Sequence, residues 1–280
     1  MKTKTELLNE KQIKDLKIKY FEYINTKKLP YVNFQLKFDD CTITVYDSKK
    51  VVYQGENIEK YLQLETIEIK DEAGSDEVGT GDYFGPVVVC AAYLNEENYQ
   101  FAKEIKVNDS KQISDETIRK IAPVLMDKCS YSLLILDNIK YNSIHKSNNM
   151  NQIKAKMHNQ AYIHLQSKIG KLPNKCIVDQ FTPENLYYKY IQFESTIIKN
   201  LHFETKAESK YISVAVASII ARYAFLKAWD KMEEYYSCRF PKGAGNEVDI
   251  FAKHFVGKYG KDELNKVAKI HFKNTEKIGL

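Results

Sequence analysis

Between residues 7 and 25, Leu8, Ile13, Leu16, Ile18, Phe21 and Ile24 recur at roughly helical spacing, with Lys11, Lys14, Lys17 and Lys19 set among them. That spacing predicts an amphipathic helix, which Leu29-Pro30 ends because the residue before a proline is pushed out of the helical region. Three short runs rich in β-branched and aromatic residues follow, YVNFQLKF, CTITVYD and VVYQGE. Asp39-Asp40 and Ser48-Lys49-Lys50 supply tight connections, so the three predict an antiparallel meander. Residues 57–64 suit a short closing helix. An acidic stretch at 65–73 then marks a change of texture, and we divide the chain there into a small α+β module, residues 1–65, and a larger domain, residues 66–280.

In the larger domain strand and helix patterns alternate. GSDEVG and PVVVCAAYL read as strands joined by a glycine-rich turn, SLLILDN as another, CIVD as a short buried strand and IIKNLHFE as a further one. Residues 150–169 suit a helix. Residues 211–236 predict a long helix apolar nearly all round its first half, which should therefore be buried, with Trp229 in the core. The tail, 239–280, is polar and basic. A mixed sheet with flanking helices is the class that fits this alternation.

Composition narrows the partners only a little. The 280 residues carry 42 basic against 37 acidic side chains, a net charge of +5, which permits a polyanionic partner without demanding one. Six lysines between Lys11 and Lys28 could meet phosphates or form an ordinary solvated face. The five cysteines contain no CxxC pair, so a zinc knuckle or redox motif has no support and reduced, mostly buried thiols are expected. The first residues, MKTKTELLNEKQIKD, hold no apolar signal core. No apolar run of about 18 residues occurs, so no membrane span is expected. We expect a cytoplasmic monomer.

The candidate chemistry lies in carboxylates. Asp76 and Glu77 end a strand just before Gly79, Gly81 and Gly85; Asp179 ends the strand CIVD; Glu208 precedes the long helix in ETKAESKY. Each has an ordinary structural explanation: a strand-end turn, a cap on the following helix, a helix-start charge. Brought together, however, four anions repel one another unless a cation neutralises them. Mg²⁺ or Mn²⁺ takes oxygen ligands, and two such ions can activate water and stabilise the leaving oxygen of a phosphodiester. Because strand neighbours point to opposite faces, Asp76 and Glu77 share one site only if the strand ends there or one of them binds through water.

The stretch GSDEVGTGDYFGPVVVCAAYL resembles the first two strands of the type 2 ribonucleases H, and its GTGDYFGP form resembles ribonuclease HIII enzymes in particular. VNDSKQISDETI, TKAESKYISVAVASIIARYAF, FPKGAGNEVD and KIHFKNTEK are similar to further elements of that family. The resemblance runs nearly continuously over 74–280; residues 1–65 fit, more loosely, the small TATA-box-binding-protein-like domain such enzymes carry. It implies a ribonuclease H-like fold with a five-stranded mixed sheet and flanking helices. It also implies a metal-binding catalytic set of Asp76, Glu77, Asp179 and Glu208, and a turn, Gly79-Thr80-Gly81, whose backbone contacts ribose 2′-hydroxyls. The implied reaction is endonucleolytic hydrolysis of RNA in RNA–DNA hybrids, leaving 3′-hydroxyl and 5′-phosphate ends. A backbone turn beside the acids suits that substrate, since the 2′-hydroxyl alone separates RNA from DNA at a given sugar. Ser110-Lys111 and Thr205-Lys206 offer hydroxyl and ammonium donors to phosphates. Of the histidines only His271 sits in a strong motif; His158 and His164, six apart in one helix, would not face one metal. Two other readings stand: a ribonuclease HII-like enzyme acting on single embedded ribonucleotides, and a non-catalytic hybrid- or DNA-binding protein.

Overall fold

The sequence Lys2-Thr-Lys-Thr-Glu-Leu7 carries too little apolar signal to predict a strand, yet it forms one, β1 (Lys2–Leu7). It pairs antiparallel with β4 (Lys50–Gly55) from Lys2 opposite Gly55 to Leu7 opposite Lys50. As an edge strand it needs only one partner, and its charged side chains blunt the outer edge. The predicted helix is correspondingly shorter, α1 (Glu10–Lys19), because Asn9 and Gln12 close a reciprocal capping box at its start. The meander forms as expected from β2 (Val32–Lys37), β3 (Cys41–Tyr46) and β4, giving the sheet order β1-β4-β3-β2. Leu16 from the helix meets Phe34, Leu36, Ile43, Val45, Val51 and Tyr53 in one core. A short helix, α2 (Glu59–Leu62), follows.

The computed structural model describes residues 2–25, 27, 29–62, 71–105, 107 and 113–280, and the chain divides into two compact units, 1–68 and 69–280. The second unit is built on a five-stranded sheet of order β7-β6-β5-β8-β9. Its strands are β5 (Glu72–Val78), β6 (Val87–Leu94), β7 (Ser130–Leu136), β8 (Lys175–Asp179) and β9 (Leu201–Glu204). β5, β6 and β7 pair antiparallel, while β5–β8 and β8–β9 are parallel. The last strand is shorter than IIKNLHFE suggested, since only 201–204 find a partner.

Helices cover the sheet: α3 (Glu96–Glu104), α4 (Asp115–Lys128), α5 (Asn138–His145), α6 (Met150–Ile169), α7 (Glu184–Tyr190) and α8 (Ile212–Tyr236). The basic tail folds as α9 (Asn246–Tyr259), α10 (Lys261–Val267) and α11 (Lys273–Lys277). α8 is long and apolar enough to cross a membrane, and most of it is spent in the core: Ile212, Ala215, Val216, Ile219 and Ile220 pack with Val88, Cys90 and Ala92 of β6. Trp229 is buried in that same cluster. α6 packs the sheet through Ala155, Tyr162 and Leu165, in a second core with Val89, Ala91 and Val178. Four of the cysteines are buried and Cys238 is partly so, all as free thiols.

Candidate active site

Two strands, and the turn after a third, deliver acids to one rim of the sheet. β5 and β8 run parallel with Ser75 opposite Val178, so Asp76 and Asp179 come next in register on adjacent strands. Between β9 and α8 the chain makes a single 3₁₀ turn, Ala207–Ser209, which carries Glu208. Lys206 enters this turn in the left-handed conformation at φ 54°, and the Ala207 N–H donates to Asp179 Oδ1 at 2.8 Å. Asp179 thus caps the turn that carries Glu208 rather than the helix directly after it; α7 begins instead at Pro183.

A cleft of about 280 Å³ is lined by Asp76, Glu77, Asp179 and Glu208 together with Ile118, Ser218, Ile219 and Arg222. Asp76 is buried, and its carboxyl is pushed well above the usual carboxylate range. Burial is the main cause, with the charges of Glu77 and Asp179 adding to it, while hydrogen bonds from Ser218 and the Glu77 N–H act the other way. Asp76 thus lies buried between two further anions, the condition that a divalent cation relieves.

Glu77 behaves differently. β5 does not end at Asp76 but continues to Val78, so its side chains keep alternating. The Glu77 carboxylate meets α6: Lys154 Nζ donates to Oε1 at 2.6 Å and His158 Nε2 lies 2.8 Å from Oε2. A carboxylate can only accept, so the imidazole carries its proton on Nε2, and Nδ1 meets the Ser75 hydroxyl at 2.8 Å. Phe181 closes this group, 4.0 Å from Lys154 Nζ at its ring centroid and stacked on His158. Burial raises the Glu77 pKa, but the His158 and Lys154 contacts outweigh it and hold the carboxyl below its ordinary value.

The glycine turn after β5 also departs from a simple flexible loop. Gly79 has φ 91°, and a Cβ there would stand 2.2 Å from the Pro86 carbonyl oxygen. Gly81 is not in the left-handed region and has nothing within 4 Å of a Cβ; Thr80 is half-buried beside it. Gly79→Ala should therefore lower stability by about 2–4 kcal/mol through the left-handed φ and the backbone clash. Gly81→Ala should leave the melting temperature in place. Thermal unfolding of the two variants checks the contrast; equal losses would contradict the description of the turn.

Thr205 and Lys206 are exposed at the entrance to the Glu208 turn. Ser110 and Lys111 lie outside the described residues. Sequence reasoning missed Ser218 and Arg222 on α8 and Lys154 on α6, and it weighed His158, the partner of Lys154, without seeing this contact. Each pair is spaced i, i+4, the spacing that puts two side chains on one helix face. Arg222 is further held by Asp115, which accepts from its Nε and Nη2 at 2.9 and 2.7 Å and from Lys242 at 2.8 Å. His271, by contrast, stacks on His145 with ring centroids 3.9 Å apart and accepts from or donates to Tyr141. Burial, helped by His145 and Lys269, pulls its pKa down to about 4, so near neutrality it is a neutral packing partner.

Comparison with known proteins places the chain in a family. The family described as ribonuclease HII matches residues 73–275, and a domain of unknown function, DUF3378, matches residues 6–71. Ribonuclease HIII of Bacillus mycoides is 38% identical over 95% of this chain and 94% of its own length. The crystal structure of Bst ribonuclease HIII in complex with Mn²⁺ shares 34% identity at a TM-score of 0.73, covering 99% of this chain and 98% of that one. The ribonuclease H2 of Pyrococcus horikoshii, at 25% identity and a TM-score of 0.64, covers 74% of this chain and 96% of its own.

Proposed function

Because the chain belongs to the ribonuclease HII family and matches ribonuclease HIII along nearly its whole length, we propose that Asp76, Glu77, Asp179 and Glu208 are its catalytic, metal-holding carboxylates. The enzyme is a ribonuclease H that hydrolyses the RNA strand of RNA–DNA hybrids endonucleolytically with Mg²⁺ or Mn²⁺. The observation that carries the residue assignment is the joint lining of one cleft by four acids from three separated chain segments.

The donor set suits a hard cation, since every candidate ligand is a carboxylate oxygen. Among the described residues no three Asp, Glu, His or Cys side chains are gathered tightly enough to hold one ion by themselves, which suits an ion that keeps part of its water shell. Asp76, Asp179 and Glu208 would hold the ions between them, with water completing the ligation. Glu77, tied to Lys154 and His158, takes the water-mediated place. Two ions held there would supply an activated water and charge stabilisation for the leaving 3′-oxygen, the chemistry that yields 3′-hydroxyl and 5′-phosphate ends.

The protein's own groups do the rest. Ser218 and the Glu77 N–H fix the Asp76 carboxylate, and the Ala207 N–H fixes Asp179. Arg222, preset by Asp115, offers the phosphate a positive charge at the edge of the acidic cleft. Gly79-Thr80-Gly81 bring backbone to the ribose, where a deoxyribose would leave a hydrogen bond unmade at a cost of about 1–3 kcal/mol. Thr205, Lys206, Ser110 and Lys111 bind phosphates without reading sequence. We read the protein as a cytoplasmic monomer that needs no partner but the hybrid duplex, and residues 1–65 as its substrate-binding module, with 66–280 as the catalytic domain.

A labelled RNA–DNA hybrid incubated with and without EDTA tests the function. Cleavage should depend wholly on the metal, and binding should weaken steeply with salt as phosphate-bound counterions are released. A hybrid bound but left intact in Mg²⁺ and in Mn²⁺ would turn the protein into a mere binder. A DNA duplex with one embedded ribonucleotide addresses the other reading. The HIII-type reading expects poor cutting there, and efficient cutting 5′ of the single ribonucleotide would favour a ribonuclease HII-like specificity.

A further inference from the structure

Lys269 is fully buried and ranks among the largest enclosed side chains, yet it ends in an amino group. Its Nζ donates to the backbone carbonyls of Asp82 at 2.7 Å and Gly85 at 2.6 Å, with Phe84 O at 3.3 Å. Its own N–H donates to Tyr83 O at 2.8 Å. The neighbouring backbone continues the grip. Gly85 N–H donates to Val267 O at 2.8 Å, and Phe84 bridges to Ala268. From another side, Tyr83 N–H donates to Gly243 O at 2.8 Å and Gly243 N–H to Asp82 Oδ1 at 2.6 Å. Asn138, buried on α5, donates Nδ2 to the same Gly85 carbonyl at 3.0 Å.

Residues 82–85 are thus clamped, whereas the turn just before them runs outward from buried Gly79 through half-buried Thr80 to exposed Gly81. Stability alone does not call for a charge at position 269. A well-packed apolar side chain of similar size commonly does as well as a buried ion, and burial pulls the Lys269 pKa down to about 7 against the opposing charge of Asp82. What an ammonium adds is directional: it fixes where three carbonyls point, and so the path of the backbone that carries them.

We infer that Lys269 is a positioning residue that, with Asn138, locks the 82–85 half of the turn so that Gly79-Thr80-Gly81 is presented to ribose in one fixed conformation. The C-terminal segment thereby sets the enzyme's selectivity for RNA. This rests on the reading of Gly79-Thr80-Gly81 as the ribose-contacting turn.

The test uses the full chain carrying Asp76→Asn, so that hybrid stays uncut, and fluorescence anisotropy with an RNA–DNA hybrid and a DNA duplex of the same sequence. Lys269→Met should lower the hybrid-to-duplex affinity ratio about tenfold, the equivalent of one lost hydrogen-bonded contact. Asn138→Ala should lower it in the same direction by a smaller factor. With Asp76 intact, both variants should raise KM more than they lower kcat. A merely structural lysine would lower the melting temperature and leave the ratio alone. An unchanged ratio in both variants, while Gly81→Ala lowers it, overturns the clamp and spares the turn. An unchanged ratio in Gly81→Ala overturns the ribose reading and the clamp together. Should Lys269→Met fail to fold, Asn138→Ala decides.

Discussion

Asp76→Asn should abolish cleavage of an RNA–DNA hybrid, lowering kcat by about 10³-fold or more, while the hybrid still binds. It should also make the metal-free protein more stable. Asp76 is buried beside Glu77 and Asp179, and these surroundings raise its folded pKa above the unfolded one. For an acid the sign follows directly. The unfolded chain releases its proton first, so stability falls as pH climbs from the unfolded pKa through the folded one. At neutral pH the native protein therefore carries a penalty, as a strained charge or a retained proton, that an amide of the same shape does not. The melting temperature of Asp76→Asn should exceed that of the parent in EDTA, and the gap should close or invert when Mg²⁺ or Mn²⁺ is added, because a bound cation favours the carboxylate. Differential scanning calorimetry with and without metal measures both arms. Turnover retained by the variant, or a parent that is the more stable of the two in EDTA, would remove the electrostatic account of the cleft.

The parts of this site that could be read from the chain are those that end strands. Asp179 closes a run of four residues buried or nearly so, and Asp76 sits in a strand followed by glycines; both patterns are local. Glu208 was visible only through its resemblance to a family element, since a charge before a helix has an ordinary explanation, and its single turn depends on an Asp179 cap 28 positions away. The helix-borne residues were hidden for a different reason. Lys154 and His158 share a face of α6, as Ser218 and Arg222 share one of α8, but periodicity does not say which strand a face will meet. That is set by the crossover from β7 to β8, through which α6 passes. β1 was missed because an edge strand of Lys and Thr buries almost nothing: every residue but Glu6 is exposed, and its pairing with β4 is a tertiary fact. The same holds for Lys269, a basic residue in a basic tail whose burial under the glycine turn no local pattern foretells.

Lys154→Met should cost about 3–5 kcal/mol of stability at neutral pH, the usual consequence of leaving one member of a buried ion pair alone. Both side chains are largely enclosed, at 9% and 11% exposure, so solvent screens the pair little. Without Lys154 the Glu77 carboxylate retains only His158 on its second oxygen. The pH dependence follows from the lowered Glu77 pKa: its contribution is present above the unfolded value and is lost as pH falls through the folded one. The stability gap between parent and Lys154→Met should therefore be widest near neutrality and should narrow on acidification, once Glu77 is protonated in both. A second substitution, Glu77→Gln, should recover much of the loss in the Lys154→Met background, giving a coupling of roughly 1–3 kcal/mol in the double-mutant cycle. Denaturant unfolding of the four proteins at two pH values supplies the numbers. An additive cycle, or a gap that does not change with pH, would mean that Glu77 is not held on the α6 face of the sheet by charge, and its carboxylate would then be available to ligate the cation directly beside Asp76.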